Sequence, residues 1–300
     1  MPTLRAVLEA GHEVGLVLTQ PDRPAGRKME LHAPAVKVLA LERGLPVIQP
    51  EKIKRNEELR ARLEKLQPDA ILVVAYGRII PEWMLALPRF GNINLHGSLL
   101  PKYRGAAPIQ WAVANGGIET GATTMRLDAG LDTGDVLLEE RVAIGPETMA
   151  SELFIRLAEA GAPLMVRTLE GLATGTVEPK RQDHTAATLA PILTREDGRL
   201  GLAEHTAQRA YDRWRGFYPW PGAWAEFRGK RFLVHGMRMA ESLGMALEPG
   251  ELRFQGAELL VGAREGSLLA LLEVQTEGKP RMTGAAFARD FQLKAGERLG

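Results

Sequence analysis

Apolar and polar residues alternate over Asn92–His96, where Ile93 and Leu95 face one way and Asn94 and His96 the other, the period of a strand. Gly97 and Ser98 end it, and Leu99–Pro108 runs on as a loop punctuated by Pro101, Gly105 and Pro108. Upstream, Ala70–Ala75 is unbroken apolar sequence between Pro68-Asp69 and Tyr76-Gly77, which predicts a strand covered on both faces. Helical spacing predicts helices at Pro2–Ala10, stopped by Gly11, at Ala35–Arg43, stopped by Gly44, and at Asn56–Leu66, where Leu59, Leu63 and Leu66 share a side. A further short helix is expected at Pro81–Leu87, and strands at Val14–Thr19 and Pro46–Ile48. Strands alternating with helices imply parallel βαβ units.

Beyond the loop, Pro108–Asn115 reads as helix, Thr120–Arg126 as strand, Asp128–Asp135 as a turn-rich loop and Val136–Val142 as strand. Thr148 is placed to cap a helix reaching about Leu172. Gly175–Pro191 lacks periodicity and carries Pro179, Asp183 and Pro191, as a linker would. The pattern then changes: after a helix near Ala203–Phe217 come short extended segments at Ala223–Phe227, Arg231–Met237, Glu251–Phe254, Glu258–Val261 and Leu268–Val274, with glycines between or beside them. That spacing predicts a small barrel or sandwich. The expected architecture is α/β: a Rossmann-like open, mostly parallel sheet with helices on both faces over residues 1–175, a linker at 176–192, and a small β-barrel domain over 193–300.

Composition narrows the classes. In 300 residues, 45% are hydrophobic, 25% are charged and none is cysteine, which excludes disulfides, thiolate catalysis and Cys-ligated metal centres. No apolar run approaches the roughly 20 residues of a membrane span, and no signal peptide pattern is present, so a cytoplasmic protein without membrane partners is expected. A net charge of +1 gives no general attraction to nucleic acid, so such binding must rest on local patches. Two patches qualify. Gln20–Met29 carries Arg23, Arg27 and Lys28 against Asp22, and reads either as a solvated loop or as an arm for a polyanion. Between Arg209 and Met239 lie Arg209, Arg213, Arg215, Arg228, Lys230, Arg231 and Arg238 against Asp212 and Glu226. Tyr218, Trp220 and Trp224 among them read more simply as core anchors.

An amide donor and an imidazole two residues apart at the end of an apolar strand can converge on a carbonyl. Acyl transfer to an amine needs donors for the oxyanion, an acceptor for the amine proton and exclusion of water. Asn94 and His96 meet the first need. Asp128, Asp132 and Asp135 are candidates for a carboxylate beside the imidazole, and spacing does not choose among them. No cluster with metal-ligand spacing is evident, so no metal site is expected.

The runs Asn94-Leu95-His96-Gly97-Ser98-Leu99-Leu100-Pro101, Arg104-Gly105-Ala106-Ala107-Pro108, Thr19–Arg27 and Gly130-Leu131-Asp132-Thr133-Gly134-Asp135 resemble the folate-dependent formyltransferases, in the branch that acts on initiator tRNA. The resemblance implies transfer of the formyl group of 10-formyltetrahydrofolate to the α-amino group of methionine on initiator methionyl-tRNA. It implies Asn94, His96 and Asp132 as the catalytic trio, and Ser98, Leu99, Leu100 and Pro101 as the tetrahydrofolate-binding segment. Tyr76, Gly77, Arg78 and Ile79 match the loop lining the pterin pocket, largely through backbone groups. Gln20–Met29 resembles the loop that enters the tRNA acceptor end, with Arg27 the position most tied to it and Arg23 and Lys28 as phosphate contacts. The second domain becomes an OB-like barrel on the tRNA side, with Arg228, Lys230 and Arg231 as contacts, and the protein is expected to be a monomer. The alternatives are a formyltransferase for a small amine, on a sugar nucleotide or glycinamide ribonucleotide, or a non-catalytic RNA-binding relative; the Gln20–Met29 arm and the barrel argue for tRNA.

The family opens on a strand and a Gly-Thr-Pro turn beside its active site, whereas this sequence opens inside the first helix. An upstream start or a compromised pocket wall is the corresponding expectation.

Overall fold

The computed structural model describes residues 1–25, 30–241 and 247–300. In chain order its elements are α1 (Pro2–Glu9), β1 (Val17–Leu18), β2 (Arg23–Ala25), β3 (Glu30–His32), α2 (Ala35–Glu42), β4 (Val47–Ile48), α3 (Glu57–Leu66), β5 (Ile71–Val74), α4 (Glu82–Leu85), β6 (Asn92–His96), α5 (Pro108–Ala114), β7 (Glu119–Arg126), β8 (Val136–Ala143) and α6 (Ala150–Thr174). Then follow α7 (Ala207–Phe217), β9 (Ala223–Phe227), β10 (Lys230–Met239), β11 (Leu252–Gln255), β12 (Glu258–Gly262), β13 (Leu268–Thr276), β14 (Met282–Thr283) and α8 (Gly284–Asp290). Contacts group them into two compact units, one of Met1–Pro108, Thr120–Ala143 and Phe154–Ala190, the other of Ile109–Glu119, Ile144–Leu153 and Pro191–Gly300. Among the described residues, no helix is long and apolar enough to cross a membrane.

In the first unit β5 pairs parallel with β6 and β1 parallel with β4, as the βαβ reading requires, while β6 pairs antiparallel with β7 and β8 lies beyond β7. α3 starts where Asn56 Oδ1 accepts from Leu59 N–H at 2.9 Å, with Glu57 and Glu58 at the positive end of the helix. Strand β6 is seated by its apolar side: Ile93, fully buried, and Leu95 pack with Val7, Leu137, Met165 and Leu172. α6 comes close at Gly161, where a Cβ would stand 2.7 Å from Leu95 Cδ2, so glycine is what lets the helix lie on the strand.

β5 is covered on both faces as expected: Leu72 packs toward Val7, Ile93 and Met165 on one side and Ile71 toward Leu59, Leu63 and Met84 on the other, and within the strand only the terminal Val74 is exposed. Two local expectations change. Part of the expected Gln20–Met29 loop is strand, because Arg23–Ala25 pairs antiparallel with Glu30–His32. Thr148 caps no helix: its hydroxyl accepts from Gly145 N–H at 3.0 Å and closes the preceding turn.

The second unit is an antiparallel sheet in the order β11-β12-β13-β10-β9, with β14 on β13 and a bulge in β10 between Val234 and Met237. Residues 297–300 join its two edges. Leu252 N–H donates to Glu297 O and Leu299 N–H to Gly250 O beside β11, while Gly300 and Glu226 of β9 exchange both backbone bonds at 2.8 and 2.9 Å. The sheet thereby closes on itself, which removes the open edges a flat sheet would leave. Its interior holds Phe227, Phe232 and Phe287, with ring centroids 5.0–6.3 Å apart; Phe287 comes from α8, a helix too short to show in the sequence pattern.

Candidate active site

Because Ile93 and Leu95 point into the core, Asn92, Asn94 and His96 share the opposite face of β6. Asn92 is structural, its amide donating to the carbonyls of Met84 and Leu85 at 2.8 and 3.2 Å. Asn94 is half-buried and makes no side-chain hydrogen bond to any described residue. The buried His96 ring is held by Nε2, 2.9 Å from the carbonyl of Tyr103. A carbonyl only accepts, so Nε2 carries the proton. Nδ1 is then 3.7 Å from Asp132 Oδ2, longer than a hydrogen bond.

Of the three acids left open by spacing, only Asp132 reaches the imidazole. Asp128 instead builds its own turn, accepting from Gly130 N–H at 3.0 Å and from the Thr133 hydroxyl at 2.7 and 2.9 Å. Asp132 has a left-handed backbone, φ 50°, a conformation Asp tolerates better than most residues. Its Oδ2 accepts from Gly105 N–H at 2.9 Å. Gly105 itself needs to be glycine: φ is 121° and a Cβ would lie 2.7 Å from Ala190 O.

The loop after β6 is braced from β7. The Thr123 hydroxyl donates to Ser98 O at 2.6 Å and accepts from Leu100 N–H at 3.3 Å. Ser98 is fully buried and spends its hydroxyl on Lys102 O, so it offers a ligand backbone rather than side chain. Leu99 and Pro101 are half-buried and Leu100 is buried. On the neighbouring connection, Gln20 clasps both sides. Its Nε2 donates to Tyr76 O at 2.7 Å and its Oε1 accepts from Arg78 Nε and Nη2 at 3.1 and 2.9 Å. Arg78 also reaches Glu51 O. Tyr76 packs among Ile53, Leu59, Leu63 and Met84, where burial pushes its hydroxyl above the ordinary tyrosine pKa. Gly77 is exposed and Ile79 almost wholly so, at 92%. Val74 is in register with Leu95, so it lies on the face of β5 opposite the one that Val73 shares with Asn94.

Of the basic candidates, Arg23 is exposed, and Arg27 and Lys28 lie outside the described residues. Arg228 chelates Glu297 at 2.7 and 2.9 Å, and the Arg231 guanidinium lies 4.7 Å over the Trp224 ring. Lys230 is exposed. Most of the remaining basic excess serves the fold: Arg209 binds Ala114 O and Asn115, Arg213 binds Asp197 O, Arg215 pairs with Asp212, and Arg238 pairs with Glu258. Trp220, read as a core anchor, is 56% exposed.

Sequence reasoning passed over Arg104, Gln182 and His184. Arg104 is buried, its Nε and Nη2 3.1 and 2.6 Å from Gln182 Oε1 and Nη2 also 3.2 Å from His184 Nδ1. Partners some 80 residues apart leave no local pattern to read.

The family model described as "Formyl transferase" matches residues 3–169, and "Formyl transferase, C-terminal domain" matches residues 192–292. A methionyl-tRNA formyltransferase of Acidobacterium capsulatum is 60% identical over all 300 residues, covering 96% of that protein. Its counterpart in Koribacter versatilis is 54% identical over the same span, covering 95% of that protein. Among solved structures, the N-formyltransferase of Helicobacter canadensis, solved with folinic acid and dTDP-3-aminofucose, aligns over 91% of this chain and 94% of its own, with a TM-score of 0.65 at 15% identity. HypX of Aquifex aeolicus with tetrahydrofolic acid aligns over 85% of this chain and 44% of its own, with a TM-score of 0.60 at 18% identity. At such identities the structural likeness speaks for the fold.

Proposed function

The chain belongs to the methionyl-tRNA formyltransferases, and from that premise we propose that Asn94, His96 and Asp132 carry its chemistry. It transfers the formyl group of 10-formyltetrahydrofolate to methionine carried on initiator tRNA. The observation supporting the assignment is one convergence: an unengaged Asn94 amide, the free Nδ1 edge of His96, and Asp132 Oδ2 at 3.7 Å from it.

The folate supplies an activated formyl group, and the chain's residues bind, orient and move protons. Asn94 donates to the formyl oxygen as negative charge develops there. His96 adds a second donor through Nδ1 when the ring is an imidazolium, because the Tyr103 carbonyl holds the Nε2 proton in either state. Asp132, anchored by Gly105 N–H, orients that imidazolium, takes up the amine proton, directly or through water, and returns it to the folate nitrogen whose bond to the formyl carbon breaks. The backbone of Ser98–Pro101 and the Tyr76, Gly77, Arg78 and Ile79 loop seat the folate. Arg23, Arg27 and Lys28 approach the acceptor end of the tRNA, and Lys230 and Arg231, with Arg228 beside them, approach its backbone. In this reading residues 1–175 form the catalytic domain, 176–192 a linker and 193–300 the OB-like tRNA-binding domain of a cytoplasmic monomer.

The test is formyl transfer to charged initiator tRNA. Asn94→Ala is expected to lower kcat by about 10²–10³-fold, the usual cost of one oxyanion donor. His96→Ala and Asp132→Asn are each expected to cut turnover to a small, still measurable residual level while tRNA still binds. Activity near wild type in Asp132→Asn would refute the assignment. Arg27→Ala should impair use of tRNA more than folate binding.

A further inference from the structure

We infer that Gln182 is a positioning residue for formyl transfer, the group that sets the posture of Asp132. The inference rests on the assignment of Asp132 to the reaction.

Gln182 is 7% exposed and uses its whole hydrogen-bonding capacity. Its Nε2 donates to the carbonyls of Asp132 and Gly134, at 2.9 and 2.6 Å. Its Oε1 accepts from Arg104 Nε and Nη2. The amide admits one orientation only, because a guanidinium has no acceptor and a carbonyl no donor. Gln182 therefore grips the backbone at the left-handed Asp132 and again two residues beyond it, and Arg104 prevents the amide from turning over. Arg104 is tied in turn by His184 Nδ1 at 3.2 Å, and its own backbone pairs with Thr188 O and Ala190 N–H at 2.8 and 2.7 Å. Asp132 is thus held at two points, Gln182 on its backbone and Gly105 N–H on Oδ2, which leaves Oδ2 3.7 Å from His96 Nδ1. Releasing the grip lets φ relax from 50° and swings the carboxylate away from the imidazole.

Gln182→Glu separates this role from general stability. A carboxylate keeps the acceptor for Arg104 and adds an ion pair, but turns the two donors facing carbonyl oxygens into acceptors. Misplacement of a reacting group by ~1 Å costs about 10²-fold. The variant is accordingly expected to lose about 10²-fold in kcat, with KM for both substrates and the melting midpoint close to wild type. In an Asp132→Asn background the same change is expected to cost almost nothing further, since the group it positions is already gone. A full additional loss in that background, or a raised KM with kcat intact, would overturn the inference. Should Gln182→Glu fold poorly, Arg104→Lys serves as the second variant: it keeps the charge, loses the two-point grip, and is expected to give the same non-additivity with Asp132→Asn. Substantial activity in Asp132→Asn alone would instead overturn the assignment of the acid, an outcome distinct from either.

Discussion

The proton on His96 Nε2 belongs to the Tyr103 carbonyl, and that decides what the ring can offer a substrate. The neutral ring presents a bare lone pair at Nδ1, and the charged ring presents a donor there. Nitrogen-15 chemical shifts of the His96 ring are therefore expected to report the Nε2–H form at alkaline pH; an Nδ1–H form would contradict the geometry. Gly105 makes a companion prediction. Gly105→Ala introduces a Cβ 2.7 Å from Ala190 O at φ 121°, at a cost of about 1–3 kcal/mol in denaturant-measured stability. It also moves the N–H that holds Asp132, so kcat should fall with it. Asn94 and His96 were legible as candidates because they sit on the polar side of an alternating strand, whereas Asp132 was one of three acids left open by spacing until the resemblance singled it out. The supports of Asp132 were not legible, because Gln182 meets it across 50 positions and comes from a stretch without periodicity.

Among the elements, α7 shows how a count of charges misleads. Arg215 and Asp212 look like surface charge in the sequence, yet both are buried, 2.5 Å apart, with Arg215 Nη1 donating to Thr148 O at 2.8 Å and Gly145 O at 3.3 Å. Removing one member strands the other's charge, so Asp212→Ala is expected to destabilise the second unit by about 3–5 kcal/mol in urea, while Asp212→Leu with Arg215→Met recovers much of the loss. Strands and helices with clear periods were legible to within a few residues. Thr148 was misjudged because a hydroxyl that can cap forward can also close the turn behind it.

For the whole molecule, a net charge of +1 makes tRNA affinity a matter of the few cations not already engaged. Lys230→Ala is expected to weaken tRNA binding and reduce the slope of log K against log salt by about 1. Arg228→Ala should tell more on the barrel, because its guanidinium holds Glu297 in the segment that joins the two sheet edges. That pairing, with the Lys294 N–H, draws the Glu297 carboxyl below its ordinary pKa against an opposing effect of burial. The tie is fully present above the ordinary carboxylate range and is lost as pH falls through the lowered value. Protection factors of the Gly300 and Glu226 amides, with the intrinsic pH dependence of exchange divided out, should fall on that descent, and Glu297→Gln should lower them at neutral pH.

The grip on Asp132 also has a consequence in time. A chain emerging from the ribosome presents Asn94, His96 and Asp132 well before Gln182 has been added, and for that interval it holds the three proposed groups without the grip on Asp132. A nascent or clipped chain ending at Gly175 would be such a species, holding the three proposed groups and slower by at least about 10²-fold for want of the grip.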